Sequence, residues 1–453
     1  MKKILSLFLM CIMFVTAFSF FGCGSNIQEG PAATDPVTGN GSLCVRKGDY
    51  LYFVNGYVLS SSLSGDDNSL GKSTHGAIYR AKLENGELMY DVTTNEDGEE
   101  TKTLKNCELL VSKVAGFEYT NLYIFGQTLY FTSPNTEKDA EGTIRFDLTD
   151  VFAVSISGGN PTRLVNALNL TSKENLVFKE VDGKVYLLYL SNNYLKCAKI
   201  NGTKVEKLSV VSEGVTDFGV NSEDGFVYYT RSFKSIENGV TGNVLAKANL
   251  NTNVEEIVCR DNYNTYTIKK VTNKKIYYVR TNSTLTDSYV FSASINNFGN
   301  TEKQYTIVSY SNTYVLDNDA LSSAGVVATY SNDDVNKLLL LTGVESLDNC
   351  KVLLEESFTV LGIYGTTIYG LDGNSVLSKV DAISGEKTTF NSDGLEFGTE
   401  VTQNFDYEAG YIYTYVKYTG NEESGYYLVR FDLLQPNLDC ELVGSVLDIH
   451  KAN

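Results

Sequence analysis

Asp224-Gly225-Phe226-Val227-Tyr228-Tyr229-Thr230 decides how this chain folds. A short apolar segment leads into it, Gly225 marks a turn, and a Tyr-rich run of strand-forming residues follows. Upstream the same grammar appears as Lys47-Gly48-Asp49 before Tyr50-Leu51-Tyr52-Phe53, Gly126 before Leu129-Tyr130-Phe131-Thr132, and Asp182-Gly183 before Val185-Tyr186-Leu187-Leu188. Downstream it recurs as Asn273-Lys274 before Ile276-Tyr277-Tyr278-Val279 and Ala324-Gly325 before Val326-Val327-Ala328-Thr329. Gly365 before Ile368-Tyr369-Gly370 and Ala409-Gly410 before Tyr411-Ile412-Tyr413 complete eight copies. Seven of the eight carry Gly at the turn, where a tight hairpin calls for positive φ.

A second hairpin follows in most copies. Ile78 to Leu83 leads into Asn85-Gly86, Val151 to Ile156 into Gly158-Gly159, Tyr194 to Ile200 into Asn201-Gly202, and Val376 to Ile383 into Ser384-Gly385. Each unit therefore holds four strands joined by hairpins. The landmarks at 52, 130, 186, 228, 277, 327, 369 and 413 are 42 to 56 residues apart, with one long step of 78. Four strands in roughly 40–50 residues is the blade of a β-propeller, whereas separate sandwich domains would repeat near 100. The expected fold is all-β: a propeller of four-stranded blades over 42–453, eight in number, with seven as the alternative count. Stacking blades in a ring buries both faces of each sheet, which accounts for Tyr-rich strands that are apolar on both alternations.

Ahead of the repeats, Lys2-Lys3 precede eighteen uncharged, mostly apolar residues (4–21) and then Gly22-Cys23. A basic start, a long apolar run and a Cys directly after a small residue are the grammar of a lipoprotein signal peptide over 1–22, with Cys23 as the lipidation site. Residues 23–41, rich in Gly, Pro, Ser, Thr and Asn, read as a flexible tether. The folded part is then expected outside the cytoplasm, held to the membrane by the N-terminal lipid.

Composition narrows the chemistry. The 453 residues carry a net charge of −18, and removing Lys2 and Lys3 takes it to −20. That balance excludes DNA or RNA as a partner, because counterion release needs a basic face. Two His in the whole chain, His75 and His450, lack ligand-spaced neighbours and read as solvated. Cys107, Cys350 and Cys440 share a register in different outer strands, too far apart on separate blades to bond, and no disulfide is expected. The stretch 65–73 has five rather than four residues between its glycines and no helix to follow, so it is not a phosphate loop. The Asx-rich stretches 317–319 and 332–334 lack EF-hand spacing, and no cofactor or metal is called for.

Tyr130-Phe131-Thr132-Ser133 and Tyr228-Tyr229-Thr230-Arg231, with strands such as Ile78 to Gly86, resemble the Tyr-Trp-Thr-Asp propellers of LDL-receptor-related proteins and the bacterial lipoproteins that share this propeller type. The sequence departs from the motif in having no Trp and in placing Ser133 or Arg231 where that motif has Asp. The receptor propellers have six blades against the eight units counted here. The resemblance implies binding of a ligand or protein outside the cytoplasm and brings no catalytic residues with it.

Loops between second and third strands all open on one face of a propeller, and the longest lie at 58–75 and 133–149, with a shorter one at 418–424, in copies that ring closure makes neighbours. They carry Asp66, Asp67, Glu137, Asp139, Glu141, Glu422 and Glu423, a candidate acidic partner-binding rim for a basic protein segment or a cation-bearing partner. The expected function is non-catalytic binding of a protein or glycan partner by a membrane-anchored propeller. The alternatives are a glycan-processing enzyme using two carboxylates, and a structural scaffold of an envelope complex.

Overall fold

The structure, a computed structural model, describes residues 30–444 apart from 60–61, 67, 71–74, 95–99, 235–240, 283–286, 307–309, 311, 317–324, 333–334, 344–349, 399–404 and 420–425. Cys23, His450 and the Asx stretch 317–319 lie outside the described residues. Eight antiparallel sheets follow one another in chain order, each with four principal strands. Their innermost strands are Cys44–Lys47, Leu122–Phe125, Leu176–Val181, Val215–Gly219, Asn264–Val271, Asn312–Leu316, Phe358–Tyr364 and Asp406–Glu408. Blade 3 shows the pattern plainly: Leu176–Val181, Lys184–Ser191, Tyr194–Asn201 and Lys204–Glu213 are joined by two-residue turns. The fold is therefore an eight-bladed propeller, and the landmark residues all lie in second strands. The long step of 78 is blade 1, which holds the loop 55–77 and an extra hairpin, Tyr90–Thr94 with Glu100–Leu104, before its outer strand.

The turn glycines are used in two ways. Gly48, Gly126, Gly183, Gly365 and Gly410 adopt positive φ, as a tight hairpin requires. Gly325 does not; there space decides, because a Cβ would come within 3.0 Å of Leu340 Cδ1 and Leu341 O. At Gly225 neither reason applies.

Burial follows the ring. Eight apolar clusters each join two adjacent blades: Leu188, Val227, Tyr229 and Ala246 between blades 3 and 4, for example, and Leu43, Phe53, Tyr415 and Leu428 between blades 8 and 1. The tyrosines add more than ring area. Tyr52 Oη donates to Ile156 O at 3.3 Å, Tyr130 Oη to Gly202 O at 3.0 Å and Tyr186 Oη to Asn251 Oδ1 at 2.6 Å, each in the next blade. These hydroxyls tie the blades, so Tyr is favoured over Phe at the landmark. Basic side chains make the same step elsewhere. Arg80 reaches Ile156 O, Lys303 reaches Thr342 O, Lys351 reaches Ala382 O and Lys379 reaches Leu433 O, each just beyond the next blade's third strand.

Among the described residues blade 1 takes all four strands from the N-terminal part of the chain and blade 8 all of its strands from the C-terminal part, with no strand exchanged at the closure. Tyr57 packs on Tyr415 and Tyr426 there, with centroids 5.5 and 5.7 Å apart. Arg430, 3% exposed, pairs with Glu441 of its own blade and with Glu87 of blade 1 while lying 3.9 Å over the Tyr411 ring.

The stretch read as tether ends in structure rather than in a free lead. Val37–Thr38 pair with Arg46 and Lys47 on the inner edge of blade 1. Lys47, buried, donates to Ala33 O and Asp35 O, and Thr38 Oγ1 donates to Glu408 Oε1 of blade 8 at 2.7 Å. This arm, residues 30–41, clasps the first blade to the last.

Candidate functional site

The predicted rim is assembled in part. The loops of blades 1 and 2 meet, with Gly65 against Ile144 and the buried Asn68 amide donating to Pro134 O. Asn68 also accepts from Val114 N, and its carbonyl accepts from the buried Lys113 at 2.8 Å, so the base of the first loop is fixed. The stretch 65–73, where described, is this anchored turn. His75 is half-buried with its Nε2 3.0 Å from Tyr57 O, which corrects the reading of a solvated loop histidine.

The acidic residues themselves differ in what they offer. Asp66 and Glu141 are exposed. Glu137 is paired with Arg163 at 2.6 Å, and Arg163 also faces the buried Asp150 at 3.5 Å. Asp139 Oδ1 accepts from Glu141 N and Thr143 N, both at 2.9 Å, and so closes its own loop. Arg145 and Asp147 pair at 2.5 Å beside it. Asp67, Glu422 and Glu423 lie outside the described residues. Among the described residues, part of the rim's negative charge is thus paired, with Arg163 and Arg145 set among the acids.

A site the sequence did not flag lies on the ring axis. A cavity of about 790 Å³ is lined by Ser172, Glu174 and Asn175 from the blade 2–3 connection and by Thr216 and Asp217 of blade 4. Thr267 to Lys270 of blade 5, Thr313 to Val315 of blade 6 and Ile363 of blade 7 complete it. Because the blade 2–3 connection shares its face with the long loops, this mouth opens on the loop face. Hydroxyls, an amide, two carboxylates and two ammonium groups from five elements converge there around Tyr314. The turn Lys173–Asn175 leans over the axis, where Lys173 Nζ stands 3.9 Å from Asp406 of blade 8.

Asp217 is the most perturbed group of this cavity. Its Oδ2 accepts from Ile268 N at 2.6 Å, which joins the inner strands of blades 4 and 5. Burial pushes its carboxyl up to about 6, offset by the N–H groups of Ile268 and Phe218 and by Lys269, and reinforced by Glu174. Asp406 makes the corresponding link from blade 8 to Leu43 N of blade 1 at 2.9 Å, and Asn40 links to Ile124 N of blade 2 at 2.7 Å. Inter-blade Asx contacts therefore exist, carried by inner strands and the arm. Ser133, where the Tyr-Trp-Thr-Asp motif has Asp, donates to Asn68 Oδ1, and Arg231 pairs with Glu255.

A second cavity, about 920 Å³, lies on the opposite face between the arm and blades 7 and 8. Asp35, Arg46, Asp49 and Glu408 surround the stacked pair Tyr364–Tyr407, whose centroids are 5.1 Å apart. Among the described residues no group of three or more His, Cys, Asp and Glu is placed to hold a metal. The described cysteines are spread over blades 1, 3, 4, 6 and 8, and Cys44, Cys197, Cys259 and Cys440 carry free thiols.

No protein-family model matches the sequence, and no curated protein matches it. Among solved structures the fold is similar to an oligogalacturonate lyase in complex with manganese, at 9% identity and a TM-score of 0.41 over 76% of this chain and 96% of that one. It is similar to Porphyromonas gingivalis dipeptidyl peptidase 4, at 11% identity and 0.49 over 94% of this chain and 63% of that one. It is also similar to a nidogen/laminin complex, at 12% identity and 0.31 over 56% of this chain and 92% of that one. At such identities the likeness concerns the β-propeller fold alone.

Proposed function

We propose that this chain is an extracytoplasmic lipoprotein, anchored through Cys23, whose propeller binds a protein or glycan partner at the axial mouth without transforming it. The observation that carries the binding part is the loop-face cavity, of a size that suits the end of a polar chain. Its walls come from inner strands already fixed by inter-blade bonds, so the polar groups are held in place before any ligand arrives. The anchor rests on Lys2-Lys3, the apolar run 4–21 and Gly22-Cys23.

The test is capture from native envelope and binding to an array of envelope glycans, comparing the natural chain with Lys269→Glu and with Glu141→Lys. Loss of binding in Lys269→Glu with retention in Glu141→Lys supports the axial site; the reverse moves it to the rim. A second reading has one observation in its favour: Asp217 holds its proton unusually high and shares the cavity with Glu174, as a carboxylate pair for glycan processing would. Turnover of a bound glycan that disappears in Asp217→Asn would establish that reading instead.

A further inference from the structure

The arm fixes where the chain leaves the propeller. Gln127 Nε2 donates to Pro31 O, Gly48 N donates to Pro36 O, and Gly30 lies beside Arg80 Nη1 and Ser157. Gly48 and Gln127 belong to turns between first and second strands, and Ser157 to a turn between third and outer strands. All of these turns lie on the face opposite the long loops and the axial mouth. Gly30 is the seventh residue after Cys23, a reach of at most about 25 Å of extended chain.

That same face carries the most exposed large apolar side chain among the described residues, Leu434, at 90%. Leu438, at 56%, projects from the same turn of blade 8, and Ile383, also at 56%, from the neighbouring turn of blade 7. Blade 8 adjoins blade 1, where the arm is seated, and blade 7 adjoins blade 8. Single exposed apolar residues are ordinary; three on adjacent turns beside the exit of a short anchor are placed where a bilayer would cover them.

We infer that the propeller sits on the membrane by this arm-bearing face, with Leu434, Leu438 and Ile383 in the lipid interface, and presents the axial mouth and long loops outward. The inference rests on the proposed anchor at Cys23. A lipid bilayer is the occupant argued here because the apolar run 4–21 and the short lead 23–29 bring one to this face. Orientation then has a functional content: the mouth is open to a partner in the surrounding medium or wall and closed to the membrane.

The sequence contains no Trp, so one substitution introduces a single reporter. The full lipidated chain carrying Leu434→Trp, Leu438→Trp or, on the loop face, Tyr263→Trp (Tyr263 is 69% exposed) would be reconstituted on phosphatidylcholine–phosphatidylglycerol vesicles with and without brominated acyl chains. The expected result is a blue shift and loss of emission on brominated vesicles for the two leucine positions, and neither for position 263. Quenching at 263 alone, or at no position while the chain floats with the vesicles, overturns the orientation and leaves the anchor standing. A natural chain that fails to float, or a Cys23→Ser chain that floats as well as the natural one, overturns the anchor and the orientation with it.

Discussion

Asp217→Asn is expected to stabilise the propeller at neutral pH. The unfolded chain gives up this proton near 3.8, and the folded chain near 6. Between those values the native state binds more proton, so stability falls as pH rises through the window and levels off above it. The gap corresponds to about 3 kcal/mol at 1.36 kcal/mol per tenfold, and about 2 kcal/mol of it is recovered between pH 7.5 and 4.5. Asparagine keeps an acceptor for Ile268 N–H and removes the buried charge, so the variant should lack this pH term. For a chain of this size about 2 kcal/mol moves the melting temperature by about 2–3 °C. The assay is thermal unfolding of the natural chain and the variant at both pH values, read as the difference of differences so that other carboxylates cancel. Asp217→Ala, which orphans Ile268 N–H, should be less stable than Asp217→Asn at both pH values. The reasoning is refuted if Asp217→Asn is less stable than the natural chain at pH 7.5, or if the two show the same pH dependence.

At the closure, Arg430→Met should cost about 2 kcal/mol in urea unfolding, since the carboxylates left behind, Glu87 and Glu441, remain half in solvent. Replacing Asn68 by Ala breaks the anchor of the first long loop; a loss of about 2 kcal/mol and faster proteolytic nicking within 58–75 are expected, and unchanged nicking would contradict the assigned role. Tyr130→Phe removes only the hydroxyl that reaches Gly202 O, so about 1 kcal/mol should be lost in unfolding with the aromatic packing intact. Thr38→Val should loosen the clasp to Glu408 by about 1 kcal/mol, seen as faster hydrogen exchange in the arm before the blades respond.

The fold was readable because one unit is repeated: Gly turn, Tyr strand and second hairpin recur at nearly constant spacing, and the period admits a single architecture. What repeats could not convey was pairing across the ring. Arg163 neutralises Glu137 from an outer strand 26 positions away, so the rim's sign was legible only as composition. Asp217 lies in Val215-Thr216-Asp217-Phe218, which has no distinguishing spacing, and it meets Glu174 and Lys269 only once the blades close. A hint was present: Thr216, Thr267 and Thr313 put hydroxyls into consecutive inner strands, which buried sheets would otherwise fill with aliphatic residues. The arm was missed because Gly, Pro and Asn suit an irregular segment held by side chains as well as a free one.

Among the described residues each blade is made from one continuous stretch of chain, and that sets an order of assembly. Every blade is built from strands consecutive in the chain, so each can zip as it emerges during synthesis, resting on the blade before it. Blade 1, however, waits through the synthesis of the whole ring with one apolar flank uncovered, including Leu43, Phe53 and Tyr57. Its partner arrives last, and the seam is then completed by Arg430 and by the arm reaching Glu408. Misassembly should therefore concentrate in chains truncated after blade 7, which would expose two sticky flanks at once and invite ring-opened dimers.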